Sequence, residues 1–449
     1  MLISKNSIKM ENDVSKLRQE EQAELAVFSF NPISSHLFKV NVTISKPVID
    51  VLYQETVLLF RKKNLDGFGQ NAAPVEYIEE NYDVEVNRRI KTYVFRHVIV
   101  DFLFKELISR KIPFANYPRL IHVTSADDNV LIFSFDLSLT ESMELKEWKN
   151  FAFKTPKRKR YKDLDKQVLQ FVDQNTCLNK RVNSSIVEED DWVCFSSTLL
   201  DQNMAAVIPM ITSCFWTKIK KNEISNKFKS SLIGKSLGES FISNDFYFED
   251  DTDYYENLNH HFSITIKAIV KGKLLSIDLF KQNFKLKNKA EIHNKIMEVF
   301  SFRNDISQRR TIIEEIFNLL LAKHRFEVPK HLILRRQEDI LATLMHQPDY
   351  HVYKSQKDFL KYVELLAEKD LKEETIIDQI AYKENIAVSI EDIQFYLNLL
   401  SNKRIREFTY FKPSTEKIED MDAPINHGML AHTILREKTL NYIIHMLTH

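Results

Sequence analysis

Glycine placement constrains this chain more than any other feature. Its 449 residues contain six glycines, and four of them fall in two short segments, 66-DGFGQNAAP-74 and 228-FKSSLIGKSLGE-239. Glycine is the residue for backbone that must take φ > 0 or approach another group closely. In a chain this poor in it, two paired occurrences mark turns that other residues do not build. Between Gly272 and Gly428 lie 155 residues without any glycine, which reads as a long helical region. The chain therefore divides into punctuated N-terminal and central parts and an uninterrupted helical end.

Length and charge bound the rest. At about 150 residues per domain, the chain holds two to four domains, each large enough for its own core. Lys+Arg and Asp+Glu both total 63, so no global charge draws the protein to DNA or to an anionic membrane. Cys177, Cys194 and Cys214 are odd in number and form no CxxC pair, which indicates neither a disulfide framework nor a zinc site. The N-terminal MLISKNSIKMENDVSKLRQEE has no apolar h-region, and no apolar run reaches the ~18 residues of a membrane span. The expectation is a soluble cytoplasmic protein.

Along the chain, residues 37–45 alternate with Phe38, Val40, Val42 and Ile44 on one face, the pattern of a half-buried strand. Pro47 opens a helix with Val48, Val51, Leu52 and Leu59 as its apolar residues. The loop 66–74 follows, and 75–110 then reads as helix, with no Gly or Pro. A strand at 130–139 places Leu131, Phe133, Phe135, Leu137 and Leu139 together. These elements form a small α+β domain over 25–145. Residues 146–189 read as a connector whose basic KTPKRKR run (154–160) is a solvated face and whose 161–175 is an amphipathic helix. Residues 190–272 are richest in β signal, with Phe262, Ile264, Ile266, Ala268 and Val270 sharing a face. From 273 to 449 helices dominate. Ile312, Ile313, Ile316 and Leu320 make one stripe, Val328-Pro329 breaks it, and Ser389 to Asp392 resembles a capping box ahead of a face through Ile390, Ile393, Leu397 and Leu400.

Sites for familiar chemistry are missing. The chain has no P-loop, HExxH, GxSxG or dinucleotide fingerprint. His260 and His261 are adjacent on a strand and point to opposite faces, so they do not converge on a metal. Asp250, Asp251 and Asp253 lack the glycine and terminal glutamate of an EF-hand loop. No metal and no cofactor is expected.

Four segments in order carry a resemblance. The loop 65-LDGFGQNAAP-74 is similar to the GFRKGKxP docking loop of the bacterial trigger factors, ribosome-associated chaperones, and Ile78, Tyr82 and Val86 fall in the register of the helix that follows it. Phe228, Gly234, Gly238 and Glu239 match the family's FKBP-type isomerase segment. Tyr254 or Tyr255, Glu256, Asn257 and Leu258 match its YHAENL stretch. Finally, 327-EVPKHLILRR-336 resembles the helix opening of its C-terminal chaperone body. The resemblance covers most of the chain from about residue 25. It implies an α+β multidomain protein: a small α+β ribosome-binding N-domain (25–145), a linker (146–189), an FKBP-like β-rich middle domain (190–272) and a long all-helical chaperone body (273–449).

What the resemblance implies for function is equally specific. The partners would be nascent or unfolded polypeptides, held without ATP, and the ribosome near its exit tunnel, with homodimerisation left open. Docking would use Gly67, Phe68, Gly69, Gln70 and Pro74. The family's Arg-Lys after the phenylalanine is replaced here by Gly69-Gln70, so Arg61, Lys62 and Lys63 become the substitute cations. Catalysis of prolyl rotation would use an apolar pocket of Phe228, Tyr254, Tyr255 and Phe262, favouring the twisted amide over the planar one. The family's apolar-Ile-Pro-Gly lead-in reads Ile224-Ser225-Asn226-Lys227, and no pocket aspartate is matched. Weak or absent isomerase activity is therefore expected. A ribosome-free scaffold and a dedicated prolyl isomerase are the alternatives.

Overall fold

The structure, a computed structural model, describes residues 26–34, 37–114, 117–125, 130–138, 144–158, 163–179, 185–209, 211–220, 227–246, 260–272, 275–300, 306–412 and 424–448. Strands β1 (Ala26–Pro32), β2 (Leu37–Ile44), β3 (Arg119–Ser125) and β4 (Leu131–Ser138) form an antiparallel sheet in the order β1-β2-β4-β3. The alternation in β2 and β4 sets this sheet. Val40, Val42 and Ile44 pair with Phe135, Phe133 and Leu131, and all six are at most 3% exposed. Cross-strand apolar pairs of this kind are what hold a sheet in register. Phe38 is less buried and stacks on Phe30 at 4.5 Å.

Helix α1 (Lys46–Arg61) starts on Pro47 and buries Val48, Ile49, Leu52, Thr56, Val57 and Phe60. Val51 was expected on that face but is 38% exposed. The buried arc follows the 48-52-56-60 row and its neighbours 49 and 57, which leaves position 51 on the far side. The run 75–110, expected as one helix, is four pieces: α2 (Val75–Asn81), α3 (Asp83–Val94), a π-helical turn (Phe95–Ile99) and α4 (Val100–Ser109). The break falls at Tyr82, whose ring packs on Phe60 and Tyr77 at 6.0 and 6.3 Å. A wide π turn re-aims side chains inside a helix, and here it accompanies a buried His97.

A second antiparallel sheet has the order β7-β8-β5-β6-β9, from β5 (Trp192–Leu200), β6 (Ser213–Lys218), β7 (Ser240–Ser243), β8 (His261–Val270) and β9 (Ile425–Asn426). Helix α6 (Lys227–Leu232) precedes β7 through turns at Gly234 and Gly238, both at φ +82°. Two expectations are corrected here. The C-terminal region is not purely helical, since it supplies β9. Nor do the five apolar residues of β8 share one environment. Phe262, Ile264 and Ile266 belong to the core shared with the first sheet, whereas Ala268 and Val270 pack with helices. The cause is a bulge: Cys194 pairs with Ala268 but Phe195 with Ile266, so Lys267 is an extra residue that switches the alternation.

The connecting residues carry buried anchors of their own. Trp148, in a 3-10 turn (Trp148–Asn150), packs with Ile316, Phe317 and Ile376, and helix α5 (Leu164–Asn179) sets Leu164, Val168 and Val172 against Ile292, Ile296 and Phe408. The remaining helices are α7 (Ile277–Asn283), α8 (Lys289–Met297), α9 (Gln308–Lys323), α10 (Lys330–Met345), α11 (Tyr350–Lys354), α12 (Phe359–Lys383), α13 (Ile390–Ser401) and α14 (His427–Thr448). The α9 stripe of Ile312, Ile313, Ile316 and Leu320 is buried, and α9 and α10 are separated at Val328-Pro329. Ser389 and Asp392 form the capping box of α13, with Ile393 and Leu397 buried behind it, although Ile390 is 41% exposed. Among the described residues no helix is long and apolar enough to cross a membrane.

Candidate functional site

The loop after α1 is built around one glycine. Leu65 and Phe68 exchange backbone hydrogen bonds of 3.1 and 2.8 Å, with Asp66 and Gly67 between them and Gly67 at φ +85°. That is the φ > 0 position of a type II turn, where glycine carries no steric cost. Gly69 has no such requirement. The Asn71 N–H donates to the Arg61 carbonyl at 2.8 Å and closes the loop, Ala73 is buried beneath it, and Pro74 leads into α2. Phe68 lies down on Tyr77 at 4.7 Å, and the Tyr77 hydroxyl donates to the Asp66 carbonyl at 3.2 Å. The solvent-facing tip is therefore Asp66, Gly67, Gly69 and Gln70, with no cation. Of the three upstream cations only Arg61 is exposed. Lys62 lines a crevice with Glu55, Asp201, His260 and His261. Lys63 is half-buried beside Arg89, and burial first, then that arginine, brings its pKa down to about 8.

Phe228 and Phe262, two of the four expected pocket residues, do meet in one cluster, but as filled core. Phe228 stands 4.8 Å from Phe246 and 5.1 Å from Phe195, and Phe246 stands 5.3 Å from Phe262. Phe228 is 5% and Phe262 4% exposed. Aromatic pairs in offset or edge geometry at these separations are ordinary core packing. Sequence reasoning missed Phe246 and His97, which complete the cluster. His97 stacks on Phe262 at 5.4 Å, and its ring also receives Phe215 and Phe246 edge-on. Burial, with His260 and Arg96 adding to it, lowers the His97 pKa to about 3. Tyr254 and Tyr255 lie outside the described residues, as do Asp250, Asp251 and Asp253.

A third surface has the clearest capacity to bind something. Helices α10, α11 and α12 form a hairpin whose base is locked and whose far half is bare. At the base, Val328, Leu332 and Leu371 make a small apolar cluster. There Arg436 of α14 holds Asp378 through two bonds of 2.9 and 2.7 Å and Glu374 at 3.0 Å, and Arg336 reaches Glu374 at 2.7 Å. Burying a bidentate pair fixes geometry more than it adds net stability. Leu332 is the one fully buried residue of the 16 in α10. Along the hairpin, from Leu334 near the base through Met345, Val352, Tyr353, Leu360, Tyr362, Leu365 and Leu366 toward the tip, large apolar side chains are 39–64% exposed. The sequence signal was present at 359-FLKYVELLAEK-369. Val363 and Ala367 face the hairpin interior, yet apolar residues continue around the other sides, which marks a helix that is either enclosed or awaiting a partner.

Comparison with known proteins matches two stretches of the chain. Residues 28–171 match a family profile described as bacterial trigger factor protein, and residues 280–445 match one described as bacterial trigger factor protein C-terminus. The trigger factor of Nitrobacter winogradskyi is 20% identical over 411 residues, covering 84% of this chain and 87% of the relative. A solved structure of the trigger factor chaperone, described for promiscuous substrate recognition in folding and assembly activities, is 11% identical. It aligns over 93% of this chain and 99% of its own, with a TM-score of 0.35. Two profiles of one family match in their proper order, one over the first sheet and one over the hairpin and its helical base, and a full-length relative runs through both: this chain belongs to the bacterial trigger factor family.

Proposed function

We propose that the protein is an ATP-independent chaperone that holds unfolded or newly made polypeptide on its α10–α12 hairpin. One observation carries this reading: eight large apolar side chains stand 39–64% exposed on a hairpin that, among the described residues, is anchored at its base. Large apolar side chains left exposed in such number on one element of a folded surface point to an interaction site. Scattered among charges, such side chains give many weak contacts, so varied sequences bind and the client leaves without an energy source. Replacing Leu360, Tyr362, Leu365 and Leu366 together by Ser in the full chain tests the idea. Suppression of aggregation of a thermally unfolding protein should be lost while circular dichroism stays unchanged. Full suppression by the folded variant would remove the hairpin from the mechanism.

The ribosome contact that the family implies is assigned to residues 61–74, with Arg61 as the exposed cation and a tip made of Asp66, Gly67, Gly69 and Gln70. A contact with so few cations is weak and salt-sensitive. For prolyl isomerisation, the mutual packing of Phe228, Phe246, Phe262 and His97 supports little or no activity. It also disfavours a dedicated isomerase.

A further inference from the structure

The connector's basic run does not stand alone in the folded chain. Gln308, at the start of α9, donates to the Pro156 carbonyl at 2.9 Å, and Arg158 reaches Asp165 of α5 at 3.9 Å. Helix α5 turns Leu164, Val168 and Val172 onto α8, which leaves Lys166 and Gln167 exposed. There Arg404, from the loop after α13, donates to Gln167 at 3.3 Å and lies 4.8 Å over the Phe300 ring. His293 of α8 comes within 3.7 Å of Asp165, and Lys289 stands one turn before it on the same side of the helix. Stretches far apart in sequence thus bring Lys157, Arg158, Lys166, Lys289, Lys403 and Arg404 into one region of the surface.

The charge there is not balanced. The described stretches 154–158, 163–179, 275–300 and 403–412 hold thirteen Lys and Arg against seven Asp and Glu, an excess of six positive charges in a chain whose total is zero. Of the acids, Asp165 meets Arg158, and Glu291 accepts from the Lys287 N–H at 2.7 Å and the Asn288 amide at 3.0 Å. Lys157, Lys166, Lys289 and Lys403 are exposed, and among the described residues none of the four forms an ion pair. Leu169 is the one large apolar side chain of these stretches that is exposed.

We propose that this face binds the sugar–phosphate backbone of a structured RNA without reading its sequence. Exposed cations with no ion partner and no apolar anchor among them are the footprint of phosphate contact. An anionic membrane calls for an apolar wedge as well as charge, and the face offers nothing beyond Leu169. The contact uses neither the loop 61–74 nor the hairpin, so it belongs to the chaperone body itself. With four phosphate contacts, log affinity falls against log salt with a slope of roughly −3 to −4.

A fluorescein-labelled RNA duplex titrated with the full chain tests this by anisotropy. The wild type should bind at low salt and lose about a hundredfold in affinity between 50 and 200 mM salt. The K157E/K166E/K289E/K403E variant should lose the binding while its circular dichroism stays unchanged. The K46E/K227E/K323E/K330E variant, with the same change of net charge on exposed lysines elsewhere, should keep it. Equal loss in the two variants, or no binding by the wild type at low salt, overturns the assignment. So does binding of phosphatidylserine vesicles with none of RNA. Lysine acetylation of the wild type, read by mass spectrometry, needs no substitution: Lys157, Lys166, Lys289 and Lys403 should be protected in the RNA complex. Protection confined to Lys62 and Lys63 would move the RNA to the docking loop and overturn the proposal.

Discussion

Gly272 and Gly69 look alike in the sequence and should behave in opposite ways. A Cβ on Gly272 would sit 1.7 Å from the carbonyl oxygen of Asp190 and 2.7 Å from its carbon, so the Asp190 backbone must retreat by more than 1 Å. That backbone is not loose. Asp190 holds φ +72°, its N–H donates to Ile219 at 2.6 Å, and Ile219 returns a bond to Asp191 at 2.9 Å. The buried Asp191 carboxylate also accepts from Gly272 N–H at 3.3 Å and from Lys271 at 2.9 Å. Losing two backbone hydrogen bonds costs about 2 kcal/mol, and loosening a buried charge from its donors brings the total for Gly272→Ala to about 3–5 kcal/mol. In Gly69→Ala the new methyl meets nothing within 4 Å and no positive φ is imposed, so stability should hold or rise slightly through the unfolded chain. Urea unfolding followed by tryptophan fluorescence reads this directly, because Trp192 and Trp216 are buried in the same sheet. With a slope of roughly 2 kcal/mol/M, the Gly272→Ala midpoint should fall by about 1.5–2.5 M while Gly69→Ala stays within ~0.3 M of wild type. Coincident transitions for the two variants would refute the close-approach argument.

Two further outcomes follow from the same geometry. Because Gly69 is free of backbone constraint and Gln70 is exposed, Gly69→Arg with Gln70→Lys should strengthen ribosome pelleting several-fold at low salt, and added salt should erase the gain; a salt-resistant gain, or none, would remove electrostatics from this loop's role. His97 is held neutral by burial, with a pKa of about 3 against an ordinary 6.5, so the unfolded chain binds its proton more readily. Its contribution is intact above pH 6.5 and is lost as pH falls toward 3, amounting to about 2 kcal/mol at pH 5. His97→Phe should therefore unfold at lower pH than wild type, and an acid midpoint that stays in place would contradict a neutral buried His97.

Much of the local structure was legible because it depends on neighbours in sequence. The alternation of β2 and β4, the turn at Gly67, the capping box at Ser389 and the break before α10, which Pro329 caps, all follow from short-range sterics and hydrogen bonding. The family's motifs were legible for the same reason, since docking loop and helix opening are contiguous strings. The errors fell where a distant partner decides. Lys267 bulges, and the inner face of β8 changes sides, because one half of the strand packs on the first sheet's core and the other on α13 and α14. Phe228 and Phe262 could have lined a cleft or filled a core, and the choice was made by His97 entering from a π turn more than a hundred residues upstream. The β9 strand fell within a region expected to be helical throughout, and it forms because Trp216 and Phe215 offered it an open edge. The hairpin is the sharpest case. Its apolar residues are as hydrophobic as those of α9, and composition alone cannot distinguish a stripe that finds a partner helix from one that does not. Exposure is a property of what packs against a surface, and that is set by the tertiary arrangement of elements far apart in the chain.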